Sequence, residues 1–182
     1  MRPAVKEKTI SAAPDFRAYS VAQQLEGAWT VRFDPKWGGP AAVIFDTLSD
    51  WTKHPDEGIK FYSGKATYHK SFDLEERYKA ATRLWIALGI VKNIASVRLN
   101  GKEHGIVWTS PWIVEITGAV KEKGNELEIG IVNLWPNRLI GDAALPPEKR
   151  MTRTNIELKK EARLTPSGLL GPVKIILESK ME

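Results

Sequence analysis

Apolar side chains recur at every second position through much of this chain, and that period admits few architectures. Trp29, Val31 and Phe33 alternate with Thr30, Arg32 and Asp34, and Leu84, Ile86 and Leu88 alternate with Arg83, Trp85 and Ala87. Leu127, Ile129 and Ile131 point one way while Glu126, Glu128 and Gly130 point the other. Tyr68, Phe72 and Leu74 share one parity, on which Lys70 intrudes. Val97 and Leu99 alternate with Ser96 and Arg98 and stop at Asn100-Gly101, a pair suited to a type I′ hairpin because both turn positions need positive φ. Val43 with Phe45, Ile113 with Ile116, and Val173, Ile175 and Leu177 supply further short runs, with turns at Thr117-Gly118 and Lys123-Gly124-Asn125. Roughly eight or nine strands with a turn every dozen or so residues predict an all-β chain, an antiparallel β-sandwich or jelly roll rather than a series of βαβ units.

The exceptions to the pattern set the expected boundaries. Residues 1–24 carry Pro3 and Pro14 amid Ser, Ala and Lys without sustained periodicity, and read as a linker or lead-in to a domain over residues 25–182. Pro35 to Pro40 breaks the first strand, and Leu48 to Gly64 reads as a long polar loop. Only residues 146–163 offer room for a helix, with Pro146-Pro147-Glu148 as its first turn, but Met151, Ile156 and Leu158 make a poor stripe. That segment is expected to be an irregular excursion with at most a turn or two of helix.

A chain of 182 residues with 42% hydrophobic positions can close such a sandwich over its own core. Seven Trp, four Tyr and five Phe argue against disorder. No apolar run approaches the roughly 20 residues of a membrane helix, and the first residues are too polar for a secretory signal. The absence of cysteine removes disulfides, thiolate metal sites and cysteine nucleophiles. The net charge of +5 sits outside the middle of the chain, because residues 25–145 carry equal numbers of basic and acidic groups. A nucleic-acid-binding face would concentrate the excess on the folded middle, so neither nucleic acid nor membrane is an expected partner.

Catalytic motifs are missing. There is no Gly-x-Ser-x-Gly elbow, no His-Glu-x-x-His pair and no phosphate loop, and His54, His69 and His104 are scattered. Glu126 and Glu128 share a strand face, as solvated sheet carboxylates commonly do. The aromatic residues near loop boundaries are more telling. Trp108 and Trp112 bracket Thr109-Ser110-Pro111, and Trp135 precedes Pro136-Asn137-Arg138. An indole can stack on the apolar face of a sugar ring while amide and guanidinium groups bond its hydroxyls. A carbohydrate-binding set of Trp112, Arg138, Trp108, Trp135, Asn137 and Asp142 follows, its two segments brought to one edge by antiparallel neighbours. The competing reading has the indoles cap the core, with Arg138 and Asp142 paired to pin the loop after residue 135.

The order of motifs resembles a known family. Gly64-Lys65-Ala66-Thr67-Tyr68 to Phe72, Leu84 to Gly89, Val97 to Gly101, Pro111-Trp112, Ile116-Thr117 and Gly124 to Leu127 are similar to the sugar-binding domain of family-two glycoside hydrolases. Gly27 to Val31, Phe33-Asp34-Pro35, Leu48-Ser49-Asp50-Trp51, Asn133 to Asp142 and Pro166 to Pro172 resemble the C-terminal module of bacterial α-L-rhamnosidases. The resemblance covers roughly residues 25–179 and implies a galactose-binding-type jelly roll, in line with the periodicity. It also implies an ancillary, non-catalytic module, since a separate and larger domain carries the acid and base in such enzymes. The implied partners are carbohydrate (a plant-type or bacterial polysaccharide containing rhamnose) and a catalytic glycosidase domain, in a periplasmic or secreted setting. The alternative is a structural module that docks on a catalytic domain without binding glycan. Related jelly rolls often hold a structural calcium. Asp50, Asp56 and Asp142 are the available ligands, but no spaced Asp/Asn loop marks a site, so no cofactor is predicted.

Overall fold

A computed structural model describes residues 17–75, 78, 83–156, 158–159 and 161–180. Its strands run in chain order as β1 (Arg17–Gln24), β2 (Trp29–Arg32), β3 (Val43–Phe45), β4 (Lys65–Phe72), β5 (Leu84–Ala87), β6 (Ile90–Lys92), β7 (Ile94–Leu99), β8 (Lys102–Val107), β9 (Ile113–Glu115), β10 (Asn125–Val132), β11 (Gly168–Gly171) and β12 (Lys174–Lys180). Two short helices, α1 (Glu57–Lys60) and α2 (Pro136–Ala143), lie in the connections.

The strands form the expected sandwich. One sheet has the order β1-β12-β5-β9, the other β3-β2-β4-β10-β7-β8, and β11 pairs with β6 in a small third sheet. Every named strand pair is antiparallel. Inward positions are those the alternation selects. Trp29, Val31, Tyr68, Val97, Leu99, Leu127, Ile129 and Ile131 on one sheet face Leu84, Ile86, Val114 and Ile175 on the other, all buried. Each large aliphatic side chain so buried contributes about 1.5–3 kcal/mol. The intruder Lys70 is accommodated by its neighbours: its Nζ donates to the Ala28 carbonyl at 2.9 Å and lies over the Trp29 ring. Partial desolvation there lowers its pKa from the ordinary lysine value.

The hairpin between β7 and β8 turns on Asn100 (φ 51°) and Gly101 (φ 80°), both in the left-handed region as a type I′ turn requires. Asn100 does more than turn the chain. Its amide donates to the Ala119 carbonyl and to Asn125 Oδ1, and its Oδ1 accepts from the Glu126 N–H.

Three expectations need correction. The boundary at residue 25 falls inside the sandwich, because residues 17–24 form β1 and pair with β12 from Arg17↔Lys180 to Gln24↔Lys174. Tyr19 packs edge-on against Trp85, so this edge strand is held with little apolar alternation of its own. The rest of the expected lead-in, residues 1–16, lies outside the described residues.

The supposed polar loop over residues 48–64 instead supplies Trp51, Ile59 and Tyr62 to the core, all fully buried. A 3-10 turn at Trp51–Lys53 and α1 present them, with Asp50 and Asp56 capping the two turns. Their irregular spacing matches no period, but large rings fill a core corner without one.

The third correction concerns the helix. It sits at residues 136–143, starting on Pro136 at its first position, where a missing N–H costs nothing. The excursion at 146–163 holds only a 3-10 turn, Pro147–Lys149, among its described residues.

Candidate functional site

The loops after β10, before β4 and before β11 meet at one end of the sandwich. Asn133 Nδ2 donates to the Tyr62 carbonyl (2.8 Å) and to Ser167 Oγ (3.0 Å), and its Oδ1 accepts from the Gly64 N–H. Asn137 Nδ2 donates to the Thr165 carbonyl (2.7 Å) and to Ser167 Oγ (2.9 Å), while its Oδ1 accepts from the Thr165 N–H. The Ser167 N–H donates to Asp50 Oδ1, and the Trp51 N–H to the Ser167 carbonyl. Ser63 Oγ accepts from the Arg138 N–H, which donates also to the Trp135 carbonyl, and itself donates to the Leu134 carbonyl. Trp51 Nε1 donates to the Tyr68 hydroxyl at 2.6 Å, and that hydroxyl also accepts from the Leu169 N–H. Burial is the largest influence on Tyr68 and pushes its phenol up to about 12, partly offset by these hydrogen bonds.

These contacts show what the expected site residues touch within the protein. Asn137 is 1% exposed, Arg138 5% and Asp142 2%. Arg138 Nε lies 3.0 Å from Asp142 Oδ1 across one turn of α2, in an ion pair whose geometry falls short of a good hydrogen bond. Asp142 Oδ2 accepts from the N–H and hydroxyl of Thr152, at 2.7 and 2.6 Å. The pairing of Arg138 with Asp142 is thus present within α2, and the two bonds from Thr152 to Asp142 tie α2 to the excursion. The polar atoms of Asn137 are all engaged within the protein.

The indoles fare differently. Trp108 is 74% exposed and Trp135 49% exposed, whereas Trp112 packs partly against the core and its carbonyl accepts from the Leu88 N–H. Trp135 meets Trp37 edge-to-face with centroids 5.1 Å apart. Sequence reasoning passed over Trp37 because it falls in a Pro- and Gly-rich break, although a Trp in such a turn often packs on another ring.

The register places both expected segments at the same end of the six-stranded sheet, since Val107 pairs with Ala95 and Ala95 with Ile131. They leave it on strands separated by β7. Trp135 makes its ring contact with Trp37, beyond β2, on the side away from β8. Among the described residues, no hydrogen bond, ion pair or ring contact joins the two segments.

The aspartates considered for calcium have partners within the protein. Asp50 and Asp56 each accept local backbone N–H groups as helix caps, and Asp142 is paired with Arg138. Among the described residues, no group of three His, Asp or Glu side chains is arranged to hold a metal ion.

One cleft lies beside this end. About 920 Å³ opens between Leu139, Asp142 and Ala143 of α2 and the excursion from Pro147 to Lys159. Arg150, Arg153 and Lys159 line it together with Glu148, Thr152, Thr154, Asn155, Ile156 and Leu158.

No protein-family model matches the chain. A rhamnosidase from Novosphingobium sp. PP1Y is similar over 98% of this chain and 17% of its own, with 36% identity and a TM-score of 0.82. A Formosa agariphila protein named "Putative beta-glucuronidase" is 39% identical over 176 residues, 83% of this chain and 15% of that protein. A beta-glucuronidase from Ruminococcus gnavus shares the fold over 91% of this chain and 30% of its own, with 21% identity and a TM-score of 0.62. The chain thus spans about one sixth of the length of the first two relatives. By sequence and by fold, nearly the whole chain is similar to one domain-sized part of much larger glycoside hydrolases.

Proposed function

We propose that this chain is a non-catalytic ancillary module of an α-L-rhamnosidase-like glycoside hydrolase, and that it positions carbohydrate for a catalytic domain. One observation carries the reading: the whole sandwich, buried network included, corresponds to 17% of a rhamnosidase. A unit that small beside a large enzyme has the proportions of an accessory domain. The contact surface for sugar in this proposal is aromatic. Trp135, with Trp37 set against it and Trp108 further along the same end, offers indole faces to a sugar ring. Arg138, Asn137 and Asp142 hold the loops that carry Trp135 and make no direct contact with the glycan. Titration with rhamnose-containing oligosaccharides tests this. Trp135→Ala is expected to weaken binding by about tenfold, the value of one lost ring contact. Unchanged affinity in Trp135→Ala and Trp37→Ala would reject the aromatic site.

A second reading, docking without glycan binding, is favoured by one patch. Ile94, Ile106 and Trp108 are all exposed, and Ile106 pairs with Ser96, two positions from Ile94. Such a cluster suits burial against a neighbouring domain. Tight association with a purified rhamnosidase catalytic domain, lost in Ile106→Asp and unaffected by oligosaccharide, would favour this reading over the first.

A further inference from the structure

The cleft between α2 and residues 147–159 has no part in the aromatic surface, and its chemistry differs. We propose that it binds an anionic saccharide unit, one carrying a carboxylate or a sulfate; this rests on the module's handling glycans at all. The charge balance of the lining points to the ligand. Arg150, Arg153 and Lys159 contribute three cations, while Asp142 is already matched by Arg138, leaving Glu148 as the one uncompensated anion among the described residues of the lining. Among the described residues, none of the three cations forms an ion pair with a carboxylate; Arg150 Nε donates instead to the Leu145 carbonyl.

The remaining lining suits a sugar rather than a bare anion. Thr154 and Asn155 offer hydroxyl and amide groups, and Leu139, Ile156 and Leu158 offer apolar surface to C–H faces. The volume lies within the range of small-ligand sites, roughly 300–1,000 Å³. One wall is fixed in place, because Thr152 donates twice to the buried Asp142 and so fastens the excursion to α2. The charge also agrees with the sequence. The middle of the chain is neutral, whereas residues 146–182 carry eight basic and five acidic groups.

Calorimetric titration of the purified chain with matched tetrasaccharides tests the proposal. The probes are a tetragalacturonide for carboxylate, a carrageenan-derived tetrasaccharide for sulfate, and cellotetraose as the neutral control. At low salt at least one acidic probe is expected to bind about tenfold tighter than the neutral one, a factor that two exposed charge pairs supply together. About 0.5 M sodium chloride should remove that preference. The Arg153→Glu/Lys159→Glu variant should lose it at unchanged melting temperature, whereas Trp135→Ala should keep it.

Equal affinity for acidic and neutral probes would overturn the cleft and leave the aromatic site standing. Failure to bind any saccharide would overturn both. A preference that survives the double variant, or equal binding of polyglutamate at the same charge, would also overturn it, the latter by making the cleft a general polyanion surface.

Discussion

Asn137 and Asn155 lie in the same connection between β10 and β11, yet their surroundings are opposite. Asn137 is buried, with both amide protons and its carbonyl oxygen bonded to Thr165 and Ser167. Asn155 is exposed on the wall of an open cleft. The same contrast separates Arg138, paired inside with Asp142, from Arg153 outside. Polar residue types that suit sugar recognition equally suit a satisfied interior network, and burial decides between the two roles. In the first half of this connection the polar groups bond one another inside the domain; in the second half they line an open cleft.

The largest effect expected from this contrast is at the buried pair. Arg138→Ala leaves Asp142 charged inside the protein and should cost about 3–5 kcal/mol, read by chemical denaturation. A loss below about 1 kcal/mol would show that the pair is not the pin described above.

Alkaline unfolding probes the same end through Tyr68. Its folded pKa, about 12, exceeds the ordinary tyrosine value of 10.0, so the folded state keeps the proton that the unfolded chain releases. Stability is therefore complete below pH 10 and falls as the pH rises toward 12, by about 3 kcal/mol for this shift. Tyr62 is displaced in the same direction by burial and adds to the slope. Tyr68→Phe should be less stable at neutral pH, because Trp51 Nε1 and the Leu169 N–H lose their acceptor, and its pH slope should be shallower.

Away from this end, Gly101→Val places a β-branched residue at φ 80° and should cost about 1–3 kcal/mol through backbone strain alone, since open space surrounds the added carbon. The smallest effect belongs to the cleft. Arg153→Ala and Lys159→Ala should each change stability by less than about 0.5 kcal/mol, and a larger loss would mean that these cations belong with the network.

The sandwich was legible in the sequence wherever one strand face is buried and the other wet, because that asymmetry writes itself as alternation. Trp29 to Phe33, Leu84 to Leu88 and Val97 to Leu99 are such strands, and Asn100-Gly101 marked its hairpin by backbone chemistry alone. Strand β1 escaped because its partner β12, rather than an apolar face of its own, determines its place. Trp51, Ile59 and Tyr62 escaped because irregular backbone buries them without a period. The segment Asn133–Asp142 stood out as a cluster of chemistry-bearing residues, and what could not be read was the direction of each side chain. Pro136 at the head of α2 was the available clue: a helix there turns Arg138 and Asp142 onto one face, four residues apart. The cleft left no mark in the sequence, since its two walls are held together by contacts such as those from Thr152 to Asp142, which no spacing announces.

The antiparallel pairing of β1 with β12 has a mechanical consequence. Arg17 and Lys180 sit opposite each other at one end of that ladder, so tension applied through the two flanks pulls across the strands rather than along them. Bonds loaded in this direction break one rung at a time, each bearing the whole force alone. The sandwich will therefore peel open at small force from that corner, while β4, β10 and β7, each flanked on both sides, stay folded. Under such a load the domain would act as an extensible link with a rigid remainder.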